Sequence, residues 1–260
     1  MSKFAKEANK AAQQLGISTT AYTDASLIYY QQGLAENEVK ARTEITAKVA
    51  NVTRQSADKV SEQLTAIWNG YKVSAEEAEI YIDRLSAIAA NSASNLEELA
   101  TGMSKVASAA AALGVNENQL AAMLSTIESV TRQAPESVGT ALRTVFARIS
   151  DIEAGLDEDT TLGNYSAEMA KLGINVLDTN NKLRNMGDVI EEIGGKWASM
   201  TREQQINLAQ TMAGQRQYSN VVALFDSFDK YNKMIQVAED SMGTLNKQQD
   251  IYLDRTTAKM

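Results

Sequence analysis

Carboxylates are the side chains of this sequence with the widest chemical range, because the chain contains no Cys and no His. That composition excludes thiol nucleophiles, imidazole bases and the usual zinc ligands. The acidic run Asp157-Glu158-Asp159 could bind a hard cation, but it lacks the alternating ligands and the turn glycine of a calcium loop. We interpret this run as a solvated acidic loop, and we predict no metal site and no cofactor.

The adjacent pair Glu191-Glu192 is the other candidate for acid–base chemistry. Adjacent positions on a helix face apart, and Glu191 fits the capping box of a helix that Asp188 is predicted to begin. The "GGK" at 194–196 lacks the upstream glycine of a phosphate-binding loop, because Ile190 stands there. No G-x-S-x-G occurs, so we predict that the chain is not an enzyme.

Charge and hydropathy limit the partners of the chain. Its 260 residues carry a net charge of -8 without any basic run, which disfavours a nucleic-acid grip. Arg143 and Arg148 flank an apolar stripe, and we expect them to pair with acidic neighbours rather than with phosphate. The most apolar window, 106–115, is too short to span a bilayer, which needs about 20 apolar residues. We expect a soluble protein made in the cytoplasm, with no sequence-specific nucleic-acid partner; membrane contact stays open.

Helix formers and helix signals dominate the elements that must position any functional residue. Apolar residues recur at helical spacing behind polar capping residues, and the sequence contains a single proline. The fold class is therefore predicted to be all-α, an array of packed helical hairpins. The predicted helix starts are Ser94 with Glu97, Asn116 with Gln119, Pro135, Asp188 with Glu191 (a helix ended by Gly194-Gly195), and Thr201 with Gln204; residues 34–69 are predicted to form two helices broken near Arg54–Ser56.

One segment departs from the helical pattern. Apolar and polar residues alternate after position 173, and "DTNN" then supplies residues that tolerate tight turns. This pattern predicts one small β-hairpin near 174–184. Because an isolated hairpin is only marginally stable, we expect it to lie on helices through Ile174, Val176 and Leu183.

The polar stretch 151–166, with its two glycines, is the best candidate for a boundary. We predict an N-terminal helical hairpin array over 1–154 and a C-terminal helical part over 155–260, packed together as one module. The segments 15–19, 71–77 and 113–119 share a short turn, a polar cap and a following helix, which indicates a weak internal repeat.

The motif "MAGQRQYSNVVALF" at 212–225 is open to two interpretations. In the simpler one it is a helix–glycine–helix corner, where Gly214 permits a left-handed cap and Tyr218 packs with the apolar face. In the other it is a partner surface built on Arg216 and Tyr218, residue types that are favoured at interfaces.

Several blocks, in the same order along the chain, together resemble the conserved core region of phage tail tape measure proteins. They lie at 11–44, at 60–79, at 133–149 around "GTALRT", and at 172–218 from "LGINVLDTNN" to "AGQRQY". The last block is the most specific of them. The family-signature residues, which are also the candidates for a partner surface, are Gly139, Thr140, Leu142, Arg143, Gly173, Gly214, Arg216 and Tyr218.

The resemblance implies a structural role without catalytic residues, in tail tube assembly and length determination, with release around DNA ejection. The implied partners are the tail tube protein, tail assembly chaperones, tail tip or baseplate proteins, and further copies of the same chain as a homo-oligomer. The implied location is the lumen of the virion tail tube, and the host cytoplasm during assembly.

Length is where the chain departs from the family pattern. At ~1.5 Å per residue, 260 residues in one helix would span only roughly 390 Å, and whole tape measures are usually much longer. We therefore expect a fragment or a truncated gene product, with the ruler itself outside these residues. Two alternatives stay open: a coiled-coil signalling or adhesin-type segment, which would need longer heptad runs, and a non-catalytic part of a tail-associated lytic protein.

Overall fold

The computed structural model describes residues 3–153, 169–180 and 182–257, and these are almost entirely helical. The predicted all-α class is confirmed. None of the helices in these ranges is long and apolar enough to cross a bilayer. The helices are α1 (Lys3–Leu15), α2 (Thr19–Gln31), α3 (Glu36–Thr53), α4 (Ala57–Tyr71), α5 (Ala78–Asn91), α6 (Leu96–Ala112), α7 (Glu117–Thr131), α8 (Pro135–Glu153), α9 (Met186–Trp197), α10 (Arg202–Asp226), α11 (Phe228–Glu239) and α12 (Thr244–Thr257).

Several helix ends share one local motif, in which a residue with positive φ is followed by an apolar residue. The amide of the apolar residue donates to the carbonyl five positions earlier, as Val115 does to Ala110 at 3.0 Å. This bond closes a Schellman-type end and explains the weak repeat in the sequence. The positive-φ residues of the set are Gly16, Gly33, Lys72, Gly114 and Gly173, and the apolar residues are Ile17, Leu34, Val73, Val115 and Ile174.

Most of the predicted helix starts are confirmed. Asn116 caps α7 and Thr201 caps α10, each with the predicted glutamine three residues later, and α8 begins at Pro135. Thr53 ends α3 and Ala57 begins α4, so the predicted break between two helices is also correct. Local side-chain chemistry therefore places these helix boundaries.

The start of α6 differs from the prediction by one residue. Asn95 caps the helix, and Glu98 completes the box by accepting a hydrogen bond from the Asn95 amide at 2.8 Å. Ser94, the predicted cap, is only 3% exposed, and its hydroxyl is buried. Burial of the preceding residue thus decided between two adjacent capping residues.

The boundaries of α9 are also wrong in the prediction. Asn185, rather than Asp188, caps the helix, because its side-chain oxygen accepts from the Gly187 amide at 2.8 Å. The glycine pair at 194–195 does not end α9, which continues to Trp197. Trp197 is 3% exposed, so core contacts at the end of the helix hold this last turn in place.

The predicted β-hairpin near 174–184 is not supported, since the described residues contain no strand. One antiparallel bridge joins Leu177 to Leu183. Between them Asp178 Oδ1 accepts from the amides of Asn180 and Lys182, at 2.8 and 2.9 Å. In addition, the Asp178 amide donates to the Lys182 carbonyl at 2.7 Å, and the Arg184 amide donates to the Val176 carbonyl at 2.9 Å. Backbone and side-chain bonds thus close a turn around a single bridge, and among the described residues they do not extend into the predicted strands. The expected contact with helices is present, because Ile174 and Val176 are buried in the core and Leu183 packs against it.

A single large hydrophobic core joins residues from α2 to the start of α12. Its central helix is α7, in which residues 119–128 are all buried, and which packs against α5, α6, α8, α10 and α11. Small side chains such as Ala121 and Ala122 allow helices to approach it from all sides. A second, smaller cluster holds α1 on α2 and α3.

The described helices do not match the coiled-coil alternative. The longest of them, α10, has 25 residues and contains a kink. The others are shorter and pack against several neighbours each, whereas a coiled coil needs long uninterrupted heptads along one seam.

Candidate interaction surface at the α8–α10 junction

Helix α8 has a buried face that fixes its position on α6. Leu142 is 3% exposed and lies in the core. Gly139 faces α6, where an added Cβ would lie 2.5 Å from the carbonyl oxygen of Gly102. A side chain at position 139 would clash with this backbone, so Gly139 and Leu142 determine packing and are inaccessible to a partner.

The opposite face of α8 is exposed and carries Thr140 and Arg143. The Thr140 hydroxyl donates to the carbonyl of Glu136 at 2.7 Å, a bond within the helix. No ion pair among the described residues involves Arg143. The acidic neighbour expected for Arg143 is therefore not found in the described part of the chain, and its cationic group points to solvent.

Gly214 interrupts α10 with a φ of 70° and a ψ of 170°, a combination that only glycine adopts without strain. In an unbroken helix the Thr211 carbonyl would accept from the amide four residues later. Here Nη1 of Arg148, on α8, donates to that carbonyl at 3.3 Å. The guanidinium also lies against Gly214, 3.3 Å from the position of an added Cβ. The two sequence motifs that carry the family signature therefore meet at Arg148.

Beyond the kink, α10 resumes at once, so Gly214 forms a corner inside the helix and does not end it. Tyr218 is half-buried and packs against the core, whereas Arg216 is exposed. The structure thus brings seven of the eight predicted residues to one junction in two groups. Gly139, Leu142, Gly214 and Tyr218 support the packing, and Thr140, Arg143 and Arg216 face outward.

Comparison with known proteins identifies the family of the chain. Residues 5–214 match the family described as phage-related minor tail proteins. The chain belongs to this family. It is also 21% identical, over 229 residues, to the tape measure protein of Pneumococcus phage Dp-1. That match covers 88% of this chain but 19% of the relative, so the chain spans about a fifth of the relative's length. No solved structure matches the chain.

In this minor tail protein, the remaining signature residue, Gly173, makes its contact with α9. Its carbonyl accepts a hydrogen bond from Lys196 Nζ at 2.6 Å. Lys196 and Arg184 both pair with Glu192, at 2.9 Å each, and they hold the pKa of that carboxyl below its usual range. Gly173 therefore belongs to the segment before α9 rather than to the outward-facing residues of α8 and α10.

Glu191 and Glu192 face apart, as the sequence predicts for adjacent helix positions. Glu191 Oε1 accepts from Gln119 Nε2 at 2.9 Å and from the Tyr231 hydroxyl at 3.0 Å. These bonds join α9 to α7 and α11. Each carboxylate of the pair thus has its own structural partners.

Two other carboxyl groups, Glu117 and Glu128, are buried in the core and were missed by sequence analysis. Burial raises the pKa of Glu117 to about 8, against the pull of Arg84, which pairs with it at 3.0 Å. Burial likewise raises the pKa of Glu128 to about 7, and a hydrogen bond with the Ser94 side chain opposes the shift. Packed helices enclose both groups, so a substrate would have to displace a helix to reach them.

Metal ligands are not grouped in the described residues, where no cluster of three acidic side chains could hold an ion. The acidic run 157–159 lies outside them. Arg148 was singled out in the sequence only as an ion-pairing residue, and its place at the kink had no local signal. Glu128 had a weak signal, because it lies four residues after Leu124 on the apolar face of α7.

Proposed function

We propose that the chain is a non-enzymatic structural component of a phage or phage-tail-like particle, the core region of its tail tape measure protein. The tape measure protein acts in tail tube assembly and length determination, and it is released around DNA ejection. The observation that carries this proposal is the family match over 5–214, which covers the motif on α8 and the start of α10 as far as the kink at Gly214. The large packed helical core supports a role through protein contacts.

Residues 1–154 and 155–260 act as one module and not as independent domains. In support, Asp83 on α5 accepts hydrogen bonds from the amides of Gly243 and Leu245, at 2.7 and 2.8 Å. These bonds cross from the first part to the second over 160 and 162 positions of sequence. Since Asp83 is 4% exposed, breaking them would leave a buried charge unpaired.

The length-setting function rests on residues outside this module. A ruler needs extended chain, and a continuous helix rises about 1.5 Å per residue. The helices here fold back on one another, and the longest has 25 residues. A compact module of this kind suits attachment at one end of the tube or the initiation of assembly.

The outward-facing residues of α8 and α10, Thr140, Arg143 and Arg216, form the contact surface. The partners are the tail tube protein, tail assembly chaperones, tail tip or baseplate proteins, and further copies of the chain. Arg143 and Arg216 form no ion pair with any other described residue, and two such cations on an acidic protein favour an acidic patch on the partner, since charge complementarity speeds association. The site of action is the lumen of the tail tube in the virion, reached after assembly in the host cytoplasm.

Substitutions in the full-length gene test this proposal by electron microscopy of the tails. Leu142→Asp places a charge in the core and is expected to abolish tails, because an unpaired buried charge unfolds the module. The double substitution Arg143→Glu and Arg216→Glu leaves the core intact and is expected to reduce the number of tails. Ser137→Asp introduces the same acid as the first variant on the exposed first turn of α8, and it serves as the matched control with normal tails.

The variants also separate the parts of the proposal. Normal tails with Leu142→Asp would contradict a role in assembly. Normal tail numbers with the double arginine variant would contradict only the contact surface. Hydrolysis of peptidoglycan by the purified chain would contradict the non-enzymatic assignment.

A further inference from the structure

A cavity of about 250 Å³ lies between the ends of α5 and α7 and the start of α11. It is separate from the α8–α10 junction, and Met234 of the core forms part of its lining. Its lining is unusual for so acidic a chain, because it contains hydroxyl, amide and ammonium groups and no carboxylate. The polar groups that carry the argument are those of Ser92, Thr126, Ser129, Lys230 and Lys233.

The deep side of the cavity presents hydroxyl groups from α7. Thr126 is 1% exposed, and its Oγ1 has no hydrogen-bond partner. Buried hydroxyls are nearly always paired, so an atom in the cavity would satisfy this one. One turn away, Ser129 Oγ accepts from the Ala93 amide at 3.4 Å, and no described residue accepts the Ser129 O–H. Both hydroxyls can therefore donate to a ligand.

The outer side of the cavity presents two ammonium groups from α11. Lys230 and Lys233 are exposed and lie three residues apart, which places them on one face of the helix. No ion pair among the described residues involves either lysine. In a chain with 33 acidic residues against 25 basic ones, two neighbouring unpaired lysines at one cavity favour an anion there.

We propose that this cavity binds a small oxyanion of the phosphate class, either inorganic phosphate or a phosphate monoester. The two ammonium groups neutralise its charge, and the hydroxyls of Thr126 and Ser129 donate to its oxygens. The carbonyl ends of α5 and α7 lie beside the cavity and oppose an anion, so the lysines are required for binding. The resulting affinity is weak, with a Kd on the order of 1 mM.

The experiment titrates the purified chain with inorganic phosphate at constant ionic strength, and follows amide chemical shifts and the thermal midpoint. Phosphate is expected to shift amides around Thr126 and Lys230 in a saturable way and to raise the midpoint. Lys230→Gln with Lys233→Gln is expected to weaken the affinity roughly tenfold or more, because two charge-assisted bonds are lost. Lys105→Gln with Lys247→Gln removes two exposed lysines elsewhere and is expected to bind as the unmodified chain does.

A second variant separates binding from folding. Thr126→Val keeps the side-chain shape and removes a hydroxyl that has no protein partner, so it should leave the unliganded chain at least as stable. It is expected to weaken phosphate binding severalfold. If phosphate binding by the unmodified chain does not saturate, the proposal is overturned. It is also overturned if the Lys230/Lys233 double variant and the Lys105/Lys247 double variant bind phosphate with equal affinity. An equal response to acetate would overturn the assignment to the phosphate class.

Discussion

At the scale of single residues, the most unusual feature is the placement of Glu128 in the packed centre of the module. It is 4% exposed. Burial is the main cause of its raised pKa, and the charges of Glu98 and Glu136 add to the shift. A hydrogen bond with the Ser94 side chain and the charge of Arg132 oppose it. The group is therefore protonated at mildly acidic pH in the folded protein, and it loses that proton near neutrality.

This placement predicts a loss of stability as the pH rises. The folded pKa of about 7 lies above the ordinary value of 4.5, so the stabilising contribution is complete below the ordinary value and is lost as pH rises through about 7. Glu128→Gln stays neutral, and it is expected to exceed the unmodified chain in free energy of unfolding by roughly 3 kcal/mol at about pH 9. Urea unfolding from about pH 5 to about pH 9 measures the difference.

The matched control is Glu62→Gln, because Glu62 is exposed on α4. This variant is expected to keep the pH dependence of the unmodified chain. Glu117, whose pKa is raised to about 8, also makes the free energy of unfolding fall as the pH rises, and it does so in every variant. Parallel stability curves for Glu128→Gln and the unmodified chain would contradict the assignment of the effect to Glu128.

At the scale of helices, contact between α6 and α8 depends on glycine. The backbones approach so closely at Gly139 that the carbonyl of Gly102 occupies the space of a side chain. Gly70 plays the same role between α4 and α6, where an added Cβ would lie 2.8 Å from the Ser108 amide nitrogen. These glycines weaken the helices that contain them, and close packing of α6 offsets that cost.

Adding one methyl group at Gly139 is therefore expected to destabilise the module. Gly139→Ala must push α8 away from α6, at a cost of about 1–3 kcal/mol from overpacking. Gly195→Ala is the matched control, because Gly195 lies in α9 with no atom near the added Cβ. The control is expected to gain about 0.5–1 kcal/mol from helix propensity. Thermal unfolding measures the change in stability of both variants. A gain in stability for both would contradict the close packing of α8 on α6.

At the scale of the whole molecule, stability is distributed unevenly between α7 and α1. Residues 119–128 of α7 are all buried, whereas α1 lies on α2 and α3 through a small cluster of its own. Regions with few buried contacts open locally, and central elements open only when the whole domain unfolds. We therefore expect amide hydrogen exchange to be slowest in α7 and fast in α1.

One type of substitution at two buried alanines tests this distribution. Ala12→Asp, at a position that is 1% exposed in α1, is expected to speed exchange in α1 alone. Ala122→Asp, at a position that is 0% exposed in α7, is expected to unfold the module. Hydrogen exchange followed by mass spectrometry measures the exchange rates of α1 and α7 in both variants. Faster exchange in α7 after Ala12→Asp would mean that α1 is part of the central cooperative unit.

The sequence by itself determined the helical class, most of the helix boundaries and the family. The reason is that the signals for these features are local. A cap such as Asn116 and its partner Gln119 lie within one turn, and a Schellman-type end lies within six residues. At α6, burial of Ser94 left the adjacent Asn95 as the cap. At α9, Asn185 and Asp188 are both exposed, and Asn185 is the cap because its side-chain oxygen accepts from the Gly187 amide. The prediction of a hairpin was wrong because the described residues pair at a single bridge, and the Asp178 carboxylate helps to close the turn, which alternation does not reveal.

Only the tertiary structure decided which polar groups work together. Asp83 accepts a hydrogen bond from the Gly243 amide, 160 positions away in the sequence. Arg148 donates one to the Thr211 carbonyl, 63 positions away. Such pairs have no fixed spacing, because the path between them depends on how several helices pack. The burial of Glu128 and the unpaired hydroxyl of Thr126 depend in the same way on neighbours from other helices. Short-range hydrogen bonding fixes the helices of this minor tail protein, and long-range packing decides which of their side chains remain available to a partner or a ligand.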